Sequence, residues 1–179
     1  LHSAGQRARN ALSQARAQTA SMVGADESDV IFTSGATEAN NIVLQSLLGR
    51  LSGHRLVTSV VEHSSIIETA QFLEVQGVPV TFLPVDEDGL ISEHDLAAAI
   101  VPAKTLVSIQ WANNETGVIQ PIERLASVAR AREAIFHTDA VQAVGKIPTP
   151  LSGVPVDLLS ISGHKLHGPM GVGALVGPG

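Results

Sequence analysis

Leu158-Leu-Ser-Ile-Ser-Gly-His-Lys-Leu-His-Gly-Pro-Met-Gly-Val-Gly-Ala-Leu175 holds a strand, a turn and an amine from which the rest of the chain can be read. An apolar run from Val156 to Ile161, broken by Asp157 and Ser160, predicts a buried strand that delivers Ser162-Gly-His-Lys165 into a glycine-rich loop. A lysine at the carboxyl end of such a strand, beside a hydroxyl, an imidazole and backbone N–H groups, can lose its proton and act as a nucleophilic amine. The neighbouring donors can hold a phosphate. The plain alternative is a solvated loop lysine. Of the three lysines, Lys104 follows Pro102-Ala103 and Lys146 follows Val144-Gly145, and both read as ordinary surface charges.

Working outward, apolar runs and helical periodicities alternate. Gln6 to Val23 has helical spacing and stops at Gly24; Asp29 to Thr33 reads as a short buried strand; Ala36 to Leu51 returns to helix. Strands are predicted at 55–60, 78–83, 105–110, 134–137, 157–161 and 173–176, and helices over 63–75, 92–100 and 121–132. Ser92 can cap its helix, with Asp95 favouring the amino end, and Pro121 suits a first helical turn. Most strands lack polar alternation, so they are expected to be buried on both faces. The predicted fold class is α/β, a mainly parallel sheet flanked by helices.

Composition narrows the function classes. A chain of 179 residues fits one domain with an ample core, and 44% apolar against 16% charged residues places it among globular proteins. A net charge of −6 offers no basic footprint, so neither nucleic acid nor an anionic membrane is an expected partner. No stretch approaches the roughly 18 consecutive apolar residues of a membrane span, and the first residues hold no apolar run of the signal-peptide kind. There is no cysteine, which removes disulfides, thiolate metal sites and a thiol nucleophile from these residues. A cytoplasmic location is the default expectation. Leu1 is not an initiator methionine and Val176-Gly-Pro-Gly179 follows directly on a strand-like run, so the chain reads as a piece of a longer protein, cut at both ends.

Ligands of open α/β sheets lie beyond the carboxyl ends of the strands, and five polar clusters fall there. Thr33-Ser-Gly-Ala36-Thr37 sits between strand and helix, where Ala36 and Thr37 can present donors to an anion at a helix amino end; a simple Ser/Thr cap is the alternative. His63, in Glu62-His-Ser64, can stack on a flat heteroaromatic ring or merely start a helix. Asn113-Asn114-Glu-Thr-Gly117 is a polar loop whose amides can bond a ring substituent, or an ordinary turn. Asp139, leaving an apolar strand, needs a partner such as a protonated pyridine nitrogen, unless it caps a helix; Gln142, three residues on, can reach a ring oxygen. An amine, a phosphate cradle and an acid for a ring nitrogen together are what pyridoxal phosphate requires. His137, Asp139, His164 and His167 have metal-ligand types without compact ligand spacing, and no metal is expected.

With these clusters in order, the chain resembles the cysteine desulfurases of the class V aminotransferase group. The matching stretches are Phe32-Thr-Ser-Gly-Ala-Thr-Glu-Ala-Asn-Asn41, Glu62-His-Ser64, Asn113-Asn-Glu-Thr-Gly-Val-Ile-Gln-Pro-Ile122, His137-Thr-Asp-Ala-Val-Gln-Ala-Val-Gly-Lys146 and Asp157 to Leu175, and they cover nearly the whole chain. The resemblance implies that residues 1–179 form the large, cofactor-binding domain of a fold-type-I pyridoxal phosphate enzyme. It implies Lys165 as the Schiff-base lysine and, with His63, as the catalytic pair. It implies Ala36, Thr37, Ser162 and His164 around the phosphate, His63 on the ring face, Asp139 at the ring nitrogen, and Gln142 and Asn114 near the ring oxygen. The implied reaction converts L-cysteine to L-alanine and hands the sulfur, as an enzyme persulfide, to an acceptor protein for iron–sulfur cluster or thiocofactor assembly. The implied assembly is a homodimer.

The family's thiolate cysteine and its substrate-carboxylate arginine come from later sequence and are not in these residues, so this chain alone is expected not to complete sulfur transfer. Selenocysteine lyases and other class V enzymes share the cofactor domain. An inactive dimerisation or partner-binding module is the reading from a different class. Glu133 departs from the family pattern, standing where a glycine would end the helix.

Overall fold

Apolar residues on both sides of each short strand force helices onto both faces of the sheet, and the chain alternates accordingly. The computed structural model describes residues 3–149 and 153–177. The elements are α1 (Ser3–Val23), β1 (Val30–Thr33), α2 (Ala36–Gln45), β2 (Arg55–Ser59), α3 (Ser64–Val75), β3 (Val80–Leu83), α4 (Glu93–Ala99), β4 (Thr105–Ser108), α5 (Ile122–Arg130), β5 (Ile135–Asp139), β6 (Leu158–Ser162) and β7 (Gly173–Val176). Among the described residues no helix is long and apolar enough to cross a membrane.

The seven strands form one sheet in the order β1-β7-β6-β5-β4-β2-β3. Period-two alternation splits the core. Val57, Val107, Phe136 and Leu159 pack with α4 and α5, while Leu56 and Leu106 pack with α2 and α3. The sheet is parallel except for β7, which runs antiparallel to both β6 and β1. Six strands therefore end at one edge, and β7 begins there, with Gly173 paired to Thr33 on one side and Ser162 on the other. That edge gathers the polar clusters.

Several boundaries move: α1 begins at Ser3, β3 begins at Val80 and β4 ends at Ser108, and three other shifts have a local cause. The helix expected over 36–51 ends at Gln45 and tightens into a 3₁₀ turn before Gly49. Pro121 takes the cap position rather than the first helical turn. β5 extends to Asp139, because Ala140 N donates to Ser160 O and Trp111 N to Asp139 O, keeping both neighbouring strands in register to that point. Glu133 does lie at a helix end in the left-handed region, with φ 55°.

Candidate functional site

Where β1 passes into α2 the chain must turn sharply. Thr33 Oγ1 donates to the Gly35 carbonyl at 2.9 Å, and Ser34 donates from both N (2.6 Å) and Oγ (2.7 Å) to the Glu38 carboxylate. These two donors hold Glu38 below the usual carboxylate range. The acid is thereby tied to Ser34, and Ala36 and Thr37, whose first-turn N–H groups no helix satisfies internally, line a cavity of about 510 Å³. A side chain on Gly173 would stand 2.6 Å from the backbone of Gly35, so this turn lies directly against the start of β7.

The opposite wall comes from β6. Its last residue, Ser162, lies 2.9 Å (Oγ) from His164 Nδ1, and Gly163-His-Lys-Leu166 forms a 3₁₀ turn. Gly163 N donates to Val172 O and Gly168 N to Gly163 O, folding the glycine-rich loop back on itself. Ser162, His164 and Lys165 all line the cavity. Lys165 is exposed on that open side, and its side-chain amine has no hydrogen-bond partner among the described residues.

The floor is Asp139, only 7% exposed. Asn40 Nδ2 donates to its Oδ2 at 2.8 Å and Val141 N to its Oδ1 at 3.1 Å. Burial pushes the carboxyl up, against the pull of those two donors and of His63. His63 caps α3, where its Nδ1 accepts from Ser65 N at 3.2 Å and lies 2.9 Å from Ser65 Oγ. Asn114 and Gln142 also border the cavity. The Gln142 side-chain oxygen accepts from Lys146, four residues on and exposed.

The nine residues assigned to cofactor or catalysis thus border one cavity. The four metal-ligand types do not converge. His137 is buried beneath Asp139 with Nδ1 2.9 Å from Ser108 Oγ and Nε2 2.9 Å from Ser160 Oγ, and burial holds it down to about 3. Among the described residues no group of three or more His, Asp or Glu side chains is placed to hold a metal ion.

Sequence reasoning gave no role to Asn40, Glu62, Ser65 or Gln110. Glu62 is buried and accepts from Ser59 Oγ and Gln110 N. Gln110 Nε2 and Asn113 Nδ2 both donate to Val61 O, tying the His63 loop to the end of β4. A polar residue inside the buried stripe of α2 (Ala39, Asn40, Val43, Leu44) was the one signal available for Asn40.

An anion-binding helix end, a buried acid and an exposed amine on one cavity can bind a phosphorylated cationic ring and present an amine to it. Comparison with known proteins points the same way. The family model for aminotransferase class-V matches residues 1–178. A cysteine desulfurase of Mus musculus is 47% identical over 97% of this chain and 38% of its own length. The cysteine desulfurase IscS of Dictyoglomus turgidum is 45% identical over 98% of this chain and 45% of its own. A solved structure described as SspA in complex with cysteine superposes with a TM-score of 0.93 at 41% identity, over 98% of this chain and 51% of that one. The chain therefore spans about half, or less, of the length of the proteins it matches.

Proposed function

We propose, for a chain that belongs to the class V aminotransferase family, that the cavity holds pyridoxal phosphate and that the whole protein is a desulfurase acting on L-cysteine. The observation that carries this reading is the convergence of Lys165, Asp139, His63 and the amino end of α2 on one cavity. The names of the relatives, cysteine desulfurase, and the cysteine held by the SspA structure support the substrate.

The residues present fit the group. Asp139 is a buried acid whose two oxygens meet only neutral donors, from Asn40 and Val141, and a buried carboxylate calls for a cation. A protonated ring nitrogen supplies that cation and reverses the upward push of burial. The first turn of α2, with Ser162 and His164 opposite, offers N–H and side-chain donors to a phosphate. When bound, pyridoxal phosphate supplies an aldehyde that takes up amines and a cationic ring that accepts an electron pair.

The chain's own groups have separable tasks. Ala36, Thr37, Ser162 and His164 anchor the phosphate. Asp139 keeps the ring nitrogen protonated, and His63 covers the ring face. Asn114 and the amide hydrogens of Gln142 would serve the ring oxygen. Lys165 would be the attachment point and, when its amine is free, would carry a proton at the substrate alpha carbon. Transfer of sulfur as a persulfide requires an attacking thiolate, which these residues do not contain. The whole protein, acting as a homodimer, passes that sulfur to an acceptor protein for cluster or thiocofactor assembly.

Borohydride reduction of the chain mixed with pyridoxal phosphate, followed by peptide mapping, tests the reading. The pyridoxyl mass is expected on Lys165. A label on Lys104 or on Lys146 would remove the assignment.

A further inference from the structure

Asn40 occupies a position where a helix of this kind would ordinarily bury an apolar side chain. It is fully buried on α2, one turn beyond Thr37, between Ala39 and Val43. Both hydrogens of its amide are used. One goes to Asp139 Oδ2 at 2.8 Å, across 99 residues of chain, and the other to Ser65 Oγ at 3.0 Å. Its own oxygen, Oδ1, is buried and has no hydrogen-bond partner among the described residues. Rotating the amide would set that oxygen against the Asp139 carboxylate, so the observed orientation is the one the network selects. A buried amide that leaves its acceptor unmet in order to spend both donors is placed for those donors.

We propose that Asn40 is a positioning residue that aims the Asp139 carboxylate at the cofactor's ring nitrogen. Asp139 has two protein donors, and they differ in kind. Val141 N belongs to the turn that follows β5 and holds Oδ1 wherever the turn is formed. Asn40 is the one side chain among the described residues that donates to the carboxylate, and it fixes the second oxygen, hence the rotation of the group about its last bond. With one protein donor on each oxygen, an ionised carboxylate retains lone pairs for a single cationic N–H in the cavity. Because Asn40 rides on the helix whose first turn presents Ala36 and Thr37, the same rigid element sets the phosphate end and the ring-nitrogen end of the site. The second donor runs to Ser65, which accepts it and is left to donate its hydroxyl hydrogen to His63 Nδ1, already approached by Ser65 N. The ring-face residue is therefore held by a branch of the same network.

This inference rests on the pyridoxal phosphate reading, and the test separates the two. The probes are pyridoxal phosphate and its deaza analogue, in which a C–H replaces the ring nitrogen and which cannot use Asp139. Dissociation constants of both are measured for the 179-residue chain and for Asn40→Ala, Asn40→Leu and Ser65→Ala. Leucine keeps the branched shape of asparagine in the buried stripe, with more bulk, and removes the donors, so one of the two Asn40 variants remains usable if the smaller residue unfolds the chain. The wild-type chain is expected to favour pyridoxal phosphate by on the order of tenfold or more, the worth of a hydrogen bond to a charged group. In the Asn40 variants that preference collapses toward unity while binding of the analogue changes little; in Ser65→Ala the preference stays. An Asn40 variant that folds and keeps the full preference overturns the proposal and leaves the cofactor reading intact. A wild-type chain that binds neither probe overturns both. Equal losses for the two probes make Asn40 a packing residue only and also sink the proposal.

Discussion

Glu62 accepts the backbone N–H of Gln110 through both carboxyl oxygens, at 3.1 and 3.0 Å, and the Ser59 hydroxyl at 2.6 Å. The contact fastens the loop before His63 to the strand end that borders the cavity. Burial pushes Glu62 up to about 8, against the weaker pull of Ser59 and Gln110, with Asp139 adding to the rise.

A specific stability profile follows for the cofactor-free chain. The fold favours neutral Glu62, so its contribution is whole below about pH 4.5 and is lost as pH rises toward about 8. The fold also favours neutral His137, whose contribution is whole above about pH 6.5 and is lost as pH falls toward about 3. Between pH 4.5 and 6.5 the two slopes oppose each other. Above 6.5 the His137 slope is finished and the Glu62 slope remains. Urea midpoints are therefore expected to fall from pH 6.5 to 8 in the wild type and to fall less in Glu62→Gln. The same alkaline slope in both chains would show that Glu62 is not the titrating group.

Gly173 lies where the lysine loop meets the phosphate-side turn. A methyl group there would stand 2.6 Å from both Cα and the carbonyl carbon of Gly35 and 2.8 Å from Ile161 O, all of them backbone atoms. No side chain can yield, so the β1–α2 turn must move away from β7. Gly173→Ala is expected to cost about 1–3 kcal/mol of stability, as overpacking does. It is also expected to weaken pyridoxal phosphate binding by roughly tenfold, because a displaced turn no longer faces Ser162 and Lys165. Cofactor titration beside a denaturation curve checks both, and wild-type affinity in the variant would show that this close packing does not set the cradle.

The fold was legible because apolar runs without alternation can only be strands covered on two faces, and the site because parallel strands bring their carboxyl ends to one edge. Direction within the sheet was less legible. Nothing in the ten residues between Ser162 and Gly173 distinguishes a return from a crossover, and β7 proves antiparallel. Asn40 was hidden for a different reason. Helical periodicity marks it as buried, but its partner Asp139 lies 99 residues away, and periodicity carries no information at that range. Glu62 reads as a loop acid until β4 is seen to end against it. Gln142 lies on the cavity as expected, but a local partner, Lys146, engages its oxygen, which leaves one lone pair there and the amide hydrogens for a ligand.

Glu133 ends α5 in a conformation that suits glycine. Its φ is 55°, and the bonds Glu133 N to Arg130 O and Ala134 N to Ala129 O, each 3.0 Å, form the paired closure of a left-handed helix end. A glutamate there carries the steric cost of a Cβ, and its negative charge sits at the negative end of the helix dipole. Glu133→Gly is expected to raise stability by about 0.5–1 kcal/mol without altering pyridoxal phosphate affinity, since the position lies away from the cavity. Thermal denaturation reads the gain; a loss of stability would mean that the side chain holds a contact which outweighs the strain.

Taking sulfur from L-cysteine as a persulfide requires a thiolate that attacks the substrate sulfur, forming an S–S bond as the substrate C–S bond breaks. The 179 residues contain no cysteine, so the chain is expected to bind pyridoxal phosphate through Lys165 and yet to yield no protein persulfide. Incubated with L-cysteine and pyridoxal phosphate, it should release sulfide and alanine no faster than free cofactor does, and Lys165→Ala should leave that background unchanged. A longer protein that supplies a mobile cysteine restores turnover, and its Cys→Ser variant returns to background. Turnover by the 179-residue chain that exceeds the free-cofactor control and vanishes in Lys165→Ala would rule out thiolate attack as the required step and move the protein toward a lyase reaction, in which no protein sulfur takes part.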